Sequence, residues 1–490
     1  MKVLFIFKSE NFLAPIGLCV VSAIVCREGH ESFLAEVNSQ DVLSCVAELK
    51  PDVVAYSSST GEAKHYLRIN RKIKEKFPEI FTIMGGPHPT FFPEMINEST
   101  LDCVCQGEGE GALADILKAL SVGRNIDDIP NIITKRNLRL SRNRVRHLIE
   151  DLDSLPFPDY GLLYDNTPMG NYPLKNFMIG RGCPYQCTYC FNPAWNKLYQ
   201  GKGKIIRRHS VDYVIEDIER VMRKWPLSNV KFYDDIFTYE ADDWLVDFAT
   251  KYKKRIGLPF FILTRADLLT EDMVKLLKYA GCRTISMSIE AGNPEVRNNL
   301  LKRNMTDEQI IKAHLLCKKY GIRTFTNCII ALPNTNINYD IESINLSIKC
   351  KVDWVEYLIF HPYPGTTLGN QVINMGIYTP DYDKMHTSYM HHSPLKCFSK
   401  REKNAQMNIS ALGAVATVIP SLKNLIVNRL IYWPHNKFFT IAYYLIKMWI
   451  IRHKIYETKT SFAESIKIYL RSFRQEFFRH EKSDLITENE

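Results

Sequence analysis

The chain has 490 residues, 46% hydrophobic and 24% charged, a globular composition with length for roughly two to four domains. Its 13 cysteines are an odd number and, outside one cluster, lie singly or as the pair Cys103 and Cys105, which argues against a disulfide scaffold and for reduced thiols in the cytoplasm. Of the net charge of +9, residues 391–490 hold a surplus of 8 (16 Lys and Arg against 8 Asp and Glu), so the preceding residues need no large basic cleft.

The N-terminal apolar run, Val3 to Phe7, ends at Lys8, which suits a buried strand rather than a secretory signal. From there "KVLFIF", the Leu18 to Glu28 segment, "SFLAEV", Val42 to Leu49, "DVVAYSSS", Tyr66 to Phe77 and "FTIMGG" alternate strand with helix. That alternation predicts a doubly wound parallel sheet, whose ligands bind at the carboxyl ends of its strands. The ends carry "SSSTG" (Ser57 to Gly61), "GGPHPT" (Gly85 to Thr90) and "QGEGEG" (Gln106 to Gly111), small residues that let a large ligand approach the backbone.

Around residues 141–168 the pattern turns to short extended pieces with Pro156 and Pro158, which reads as a linker. A second series runs through "NFMIGRGC", "VKFYDDIF", "PFFILTRA", "TISMSIEAG", "TFTNCIIALP" and "WVEYLIFHPYPG". Six strands with helical crossovers predict a partial barrel over 169–390, its chemistry at the strand carboxyl ends. After about residue 391 the rhythm gives way to helices. The run Phe438 to Ile451, broken only by Lys447, is short of the ~20 residues that span a bilayer.

The cysteine cluster is "GRGCPYQCTYCFNP", with Cys183, Cys187 and Cys190 spaced C-x3-C-x2-C. Zinc would want a second pair at matching spacing, and none follows. Three thiolates on one tight loop suit a 4Fe-4S cluster with one iron left open.

With its flanking residues this loop resembles the signature of the radical S-adenosylmethionine (SAM) superfamily. The resemblance implies a 4Fe-4S cluster on the three cysteines and SAM on its open iron. It implies further that Tyr189 lies against the adenine, Asp234 or Asp235 meets the methionine amino group, and Arg265 and Glu290 contact the SAM carboxylate and ribose. Asp234 and Asp235 have an alternative role as helix caps, and Arg265 and Glu290 as a structural ion pair. The fifth strand departs from the family: "IIALPNTNINYD" stands where a Gly-x-Pro-Gly-Glu-Thr-like turn is usual, so contacts there fall to backbone. "HPYPGTTL" returns to the pattern.

Residues 1–140 are similar to the cobalamin-binding domain that precedes the barrel in one large subfamily, which extends the resemblance over about 390 residues. It implies cobalamin near Ser57, Ser58, Ser59, Thr60, Gly85, Gly86, Gly107, Glu108 and Gly109. The Asp-x-His-x-x-Gly string that supplies a cobalt ligand elsewhere is absent, so no protein imidazole is expected below the metal.

The expected architecture is α/β: a doubly wound Rossmann-like cobalamin-binding domain, a partial (β/α)6 radical SAM barrel, and a mostly helical, basic region over 391–490. The implied activity is reductive cleavage of SAM to a 5'-deoxyadenosyl radical and methylation of an unactivated carbon. The alternatives are radical cyclisation, rearrangement or oxidation without methyl transfer, and a non-catalytic iron–sulfur module. A small-molecule or lipid-like substrate and a reductase, ferredoxin or flavodoxin donor follow as partners. Peripheral membrane contact through the aromatic tail is a further expectation, against a plain helical cap, and nucleic acid is not expected because the tail matches no RNA module.

Overall fold

The computed structural model describes residues 1–8, 14–138, 145–382, 385 and 389–456. The chain forms two compact units. The first comprises residues 1–172, 176–227 and 362–387, and the second residues 173–175, 228–361 and 388–490.

In the first unit a six-stranded sheet has the order β2-β1-β3-β4-β5-β6, built from β1 (Lys2–Phe7), β2 (Glu31–Glu36), β3 (Val53–Ser57), β4 (Phe81–Gly85), β5 (Cys103–Cys105) and β6 (Ile132–Ile133). The first five strands run parallel and β6 pairs antiparallel. Runs such as "KVLFIF" are buried from Val3 to Phe7 because helices cover both faces of a parallel sheet. The strand order reverses between β1 and β3, so the predicted doubly wound topology is present, with its switch-point crevice at the carboxyl ends of β1 and β3, beside the end of β4. Leu4, Ile6, Tyr56, Tyr66, Met84 and Val104 belong to the core beneath.

The segment read as a linker packs into this unit. Leu148, Leu152, Leu155 and Tyr160 are buried, so its Pro-rich extended pieces carry core side chains; residues 141–144 lie outside the described chain. The same unit holds the cysteine loop, the short antiparallel pair β8 (Gly180–Arg181) and β9 (Arg207–Arg208), and the helix Val211–Lys224. That helix is capped by Ser210, begins with Asp212 and ends with Arg223 and Lys224, each charge placed to suit the helix dipole.

The second unit carries a six-stranded sheet in the order β14-β13-β12-β11-β10-β7. Its strands are β7 (Leu174–Phe177), whose first residues belong here, β10 (Asn229–Phe232), β11 (Phe260–Leu263), β12 (Cys282–Ser286), β13 (Arg323–Ile330) and β14 (Trp354–Ile359). Pairing is parallel from β10 to β14, and spatial order follows chain order, as in a barrel that does not close. Phe232, Phe248, Tyr252 and Phe260 pack edge-on between sheet and helix on the convex side.

The C-terminal region continues this unit. The helix Lys400–Val418 packs outside β14, where Tyr357 Oη and Thr417 Oγ1 lie 2.8 Å apart. The helix Lys437–Ile450 and the turn after it lie across the concave side: Tyr443 meets Trp354 at 5.8 Å, Lys447 bonds Glu356 at 2.8 Å, and Thr284 Oγ1 donates to the Ile455 carbonyl at 2.7 Å. Among the described residues no helix is long and apolar enough to cross a membrane.

Candidate functional site

The cysteine loop leaves β8 and enters the helix Asn192–Leu198. Gly182, at φ +95°, lies so close to the Ile205 carbonyl that an added Cβ would clash with it, so only glycine makes this turn. Cys187 is buried, while Cys183 and Cys190 are partly exposed. Cys190 N donates to the Cys187 carbonyl at 3.1 Å, Asn196 Nδ2 to the Cys183 carbonyl at 2.9 Å, and Leu368 N to the Thr188 carbonyl at 2.8 Å. Backbone and amide hydrogen bonds thus fix the loop that carries the three thiols. Asn192 Nδ2 lies 3.5 Å from Cys190 Sγ, a donor suited to a thiolate. Tyr189, beside that cysteine, is partly buried. Among the described residues no three His, Cys, Asp or Glu side chains converge as a single-ion site requires. A cubane asks instead for one thiolate at each of three corners, and a soft all-sulfur donor set on one turn fits it.

Two charged residues of the Gln106–Gly111 loop hold this hairpin in place. Glu108, buried, accepts from Arg181 Nη1 at 3.0 Å, from Arg207 Nη1 at 2.8 Å and from Ile149 N at 3.1 Å. Glu110 accepts from Arg181 Nη2 at 2.6 Å. Burial disfavours the charges of Glu110 and Arg181; the guanidinium of Arg181 nevertheless keeps the Glu110 carboxyl below its usual range, and the two carboxylates raise the pKa of Arg181. Tyr199 Oη accepts from Glu108 N at 2.8 Å and sits so near Gly107, at φ +89°, that a side chain there would displace it. Glu108 and Gly107, expected near cobalamin, are therefore committed to the cysteine hairpin. Residue-type reasoning missed this clamp; its signal was a Gly–Glu repeat answered by arginines on either side of the cysteines.

At the crevice of the doubly wound sheet, Ser57 and Gly85 are register partners at the strand ends. A Cβ added at Gly85 would meet only Cys105, at an ordinary contact distance of 3.7 Å. Ser59 is exposed and bonds Glu62, and Gly109 is partly exposed. Ser58 is buried, with its amide on the Gly85 carbonyl at 2.9 Å, and Gly86 turns against it at φ +98°. Thr60 is buried against His88, Oγ1 to Nδ1 3.2 Å. Burial pushes the His88 imidazole down to about 4, so it is neutral near pH 7.

In the second unit Asp234, Arg265 and Glu290 follow β10, β11 and β12, which brings them to one edge of one sheet. Asp234 is buried and Asp235 exposed; the next helix, Asp243–Arg255, is capped by Asp242, so neither performs that capping. Arg265 forms a two-point ion pair with Asp267, both bonds 3.0 Å, and donates to the Arg303 carbonyl at 2.7 Å, the structural role considered for it. Glu290 is buried at φ +66°, a left-handed conformation that costs about 1–3 kcal/mol for such a residue and is kept where the surroundings impose it. Arg297, fully buried, fixes the following backbone by donating to the carbonyls of Ala291 and Met305, each at 3.0 Å. At the departing fifth strand Ala331 also takes φ +58°, and its amide donates to Asp340 Oδ1 at 3.1 Å. Burial pushes the Asp340 carboxyl up to about 8.

Fold and site together define an α/β protein of two units, one with a doubly wound sheet and a three-cysteine loop, the other with an open barrel-like parallel sheet. The family model for the B12 binding domain matches residues 3–117, and that for the radical SAM superfamily matches residues 177–346. The chain belongs to the radical SAM superfamily, in the branch that carries a B12 binding domain. The two domains bring their cofactors: a 4Fe-4S cluster and SAM for one, cobalamin for the other.

An uncharacterized methyltransferase of Pyrococcus horikoshii is 28% identical over 73% of this chain and 78% of its own length. Hopanoid C-3 methylase of Methylococcus capsulatus is 26% identical over 72% and 68%, and the anaerobic magnesium-protoporphyrin IX monomethyl ester cyclase of Rubrivivax gelatinosus 25% over 68% and 60%. The solved structure of the cobalamin-dependent SAM radical enzyme OxsB with aqua-cobalamin and SAM bound superposes with a TM-score of 0.69 at 17% identity, covering 97% of this chain and 75% of OxsB. The radical SAM methyltransferase TsrM of Kitasatospora setae gives 0.66 at 15%, covering 93% and 98%. These likenesses establish the shared fold.

Proposed function

We propose that this protein is a cobalamin-dependent radical SAM enzyme that methylates an unactivated carbon of a small or lipid-like substrate. The observation that carries the reading is the cysteine loop, which sets three thiols on one turn with its backbone fixed by hydrogen bonds, in the same unit as the small-residue strand ends Ser57 and Gly85. When bound, the cluster and SAM supply one-electron cleavage of the sulfonium, and cobalamin supplies the methyl group.

Within this reading the chain's own residues bind and orient. Cys183, Cys187 and Cys190 ligate three irons, Tyr189 flanks the adenine, Asp234 receives the amino group, and Glu290 accepts the ribose hydroxyls. The Ala331 turn would offer backbone groups, and Ser57, Gly85 and Gly109 would hold the cobalamin. Ion pairing leaves Arg265 to position the loop around Asp267. An external reductase, ferredoxin or flavodoxin delivers the electron in the cytoplasm. The tail's Phe438, Leu445 and Trp449 are exposed on one helix face, which favours contact with a lipid surface when the substrate is apolar.

The cyclase relatives favour one second reading, a radical ring closure without methyl transfer. Incubation with methyl-labelled methionine-derived SAM and a candidate substrate separates the two. Label in the product supports methylation, and product formed without label supports the alternative.

A further inference from the structure

Side chains on β10 alternate between two sides. Phe232 joins Phe248 and Tyr252 on the convex, helix-covered side, so Lys231 faces the concave side. There its ammonium lies over three rings, 4.7 Å from the centroid of Tyr233, 5.0 Å from that of Phe261 and 5.9 Å from that of Tyr456. Among the described residues it has no carboxylate in ion-pair range; the nearest candidate by electrostatics, Glu356 on β14, is already bonded to Lys447 at 2.8 Å. Two ammoniums therefore share one carboxylate on this face.

Tyr233, beside the ammonium, is 41% accessible, so this cluster can be reached by a ligand. The tail packs against it: Tyr456 lies on Phe261 at 5.6 Å, and the carbonyl of Ile455 is held by Thr284. A partly buried cation among rings, whose nearest carboxylate among the described residues is already paired, is suited to receiving an anion from outside.

We infer that this cluster is a substrate subsite for the anionic end, carboxylate or phosphate, of an otherwise apolar molecule, with Lys231 seating the charge and Tyr233, Phe261 and Tyr456 flanking the adjoining apolar part. The inference rests on the reading above that the substrate is small or lipid-like, and it names the charge such a substrate carries. It also gives the C-terminal tail a role as one wall of the site. The competing role for Lys231 is to pin Tyr456 through the ring contact alone, which predicts no affinity for anions.

Calorimetric titration of the full chain, without cluster or SAM, with decanoate, decyl phosphate and 1-decanol decides. Both anions, or whichever of the two the site prefers, should bind at least about tenfold more tightly than the alcohol, the scale of one charge-assisted hydrogen bond. Lys231→Met should lose that preference and Lys231→Arg keep it. Glu356→Gln should strengthen it, and carries the test if the methionine variant does not fold. Equal affinity for the alcohol, no binding of either anion, or unchanged selectivity in Lys231→Met or Glu356→Gln overturns the inference. Because the probes need neither iron nor SAM, failure here leaves the radical SAM reading standing, and failure of that reading leaves this result interpretable.

Discussion

The Gln106–Gly111 loop and the concave face around Lys231 bury charge in opposite ways. In the first, two carboxylates meet two guanidiniums, so each charge has an opposite partner within the protein. In the second, an ammonium lies among rings with its nearest carboxylate already taken. A closed network of charges positions something else, here the cysteine hairpin, whereas a charge left over is held in reserve for a ligand.

The sharpest way to break the comparison is Glu108→Ala. It leaves the fully buried Arg207 without its carboxylate and should cost about 3–5 kcal/mol in urea unfolding, with loss of iron retention after reconstitution. A cost under about 1 kcal/mol would mean the network is solvated and positions nothing.

Asp340→Asn comes next. The folded carboxyl keeps its proton up to about pH 8, while the unfolded one releases it near the ordinary value of 3.8. The folded state therefore binds more protons through that window, and this carboxyl makes stability fall as pH rises from about 4 to about 8. Asparagine keeps an acceptor for the Ala331 amide and cannot ionise. Chemical unfolding at pH 5 and pH 9 should show the variant gaining on the wild type by roughly 1–3 kcal/mol at the higher pH.

Smaller still, Ala331→Gly should stabilise by about 1 kcal/mol in the same assay by relieving the left-handed backbone. Lys231→Met should change stability by less than about 1 kcal/mol, since lost ring contacts offset the removed desolvation. A large loss there would turn the leftover charge into a structural one and erase the contrast.

Much of this was legible in the chain. Strand and helix periodicity placed both sheets, and the C-x3-C-x2-C spacing with its glycines marked the loop, because local backbone needs dictate those residues. What stayed hidden depends on long-range pairing. Glu108 and Gly107 read as ligand contacts since small and acidic residues at strand ends serve either purpose, and only Arg181, Arg207 and Tyr199, far along the chain, decide which. The tail read as a membrane helix or a cap because its aromatic stripe suits both; burial of Tyr443 against Trp354 and the Lys447–Glu356 bond settle one face of it, while Phe438 and Trp449 stay exposed. The strain at Glu290 and Ala331 has no sequence signal, since neither residue is one that prefers the left-handed region.

The most direct test of the account is to reconstitute the protein with iron and sulfide in the absence of oxygen, add dithionite and SAM, and measure 5'-deoxyadenosine. The wild type should release it and Cys190→Ala should not. Zinc in place of iron, or equal 5'-deoxyadenosine from the cysteine variant, would contradict the claim that this loop holds the cluster that SAM meets.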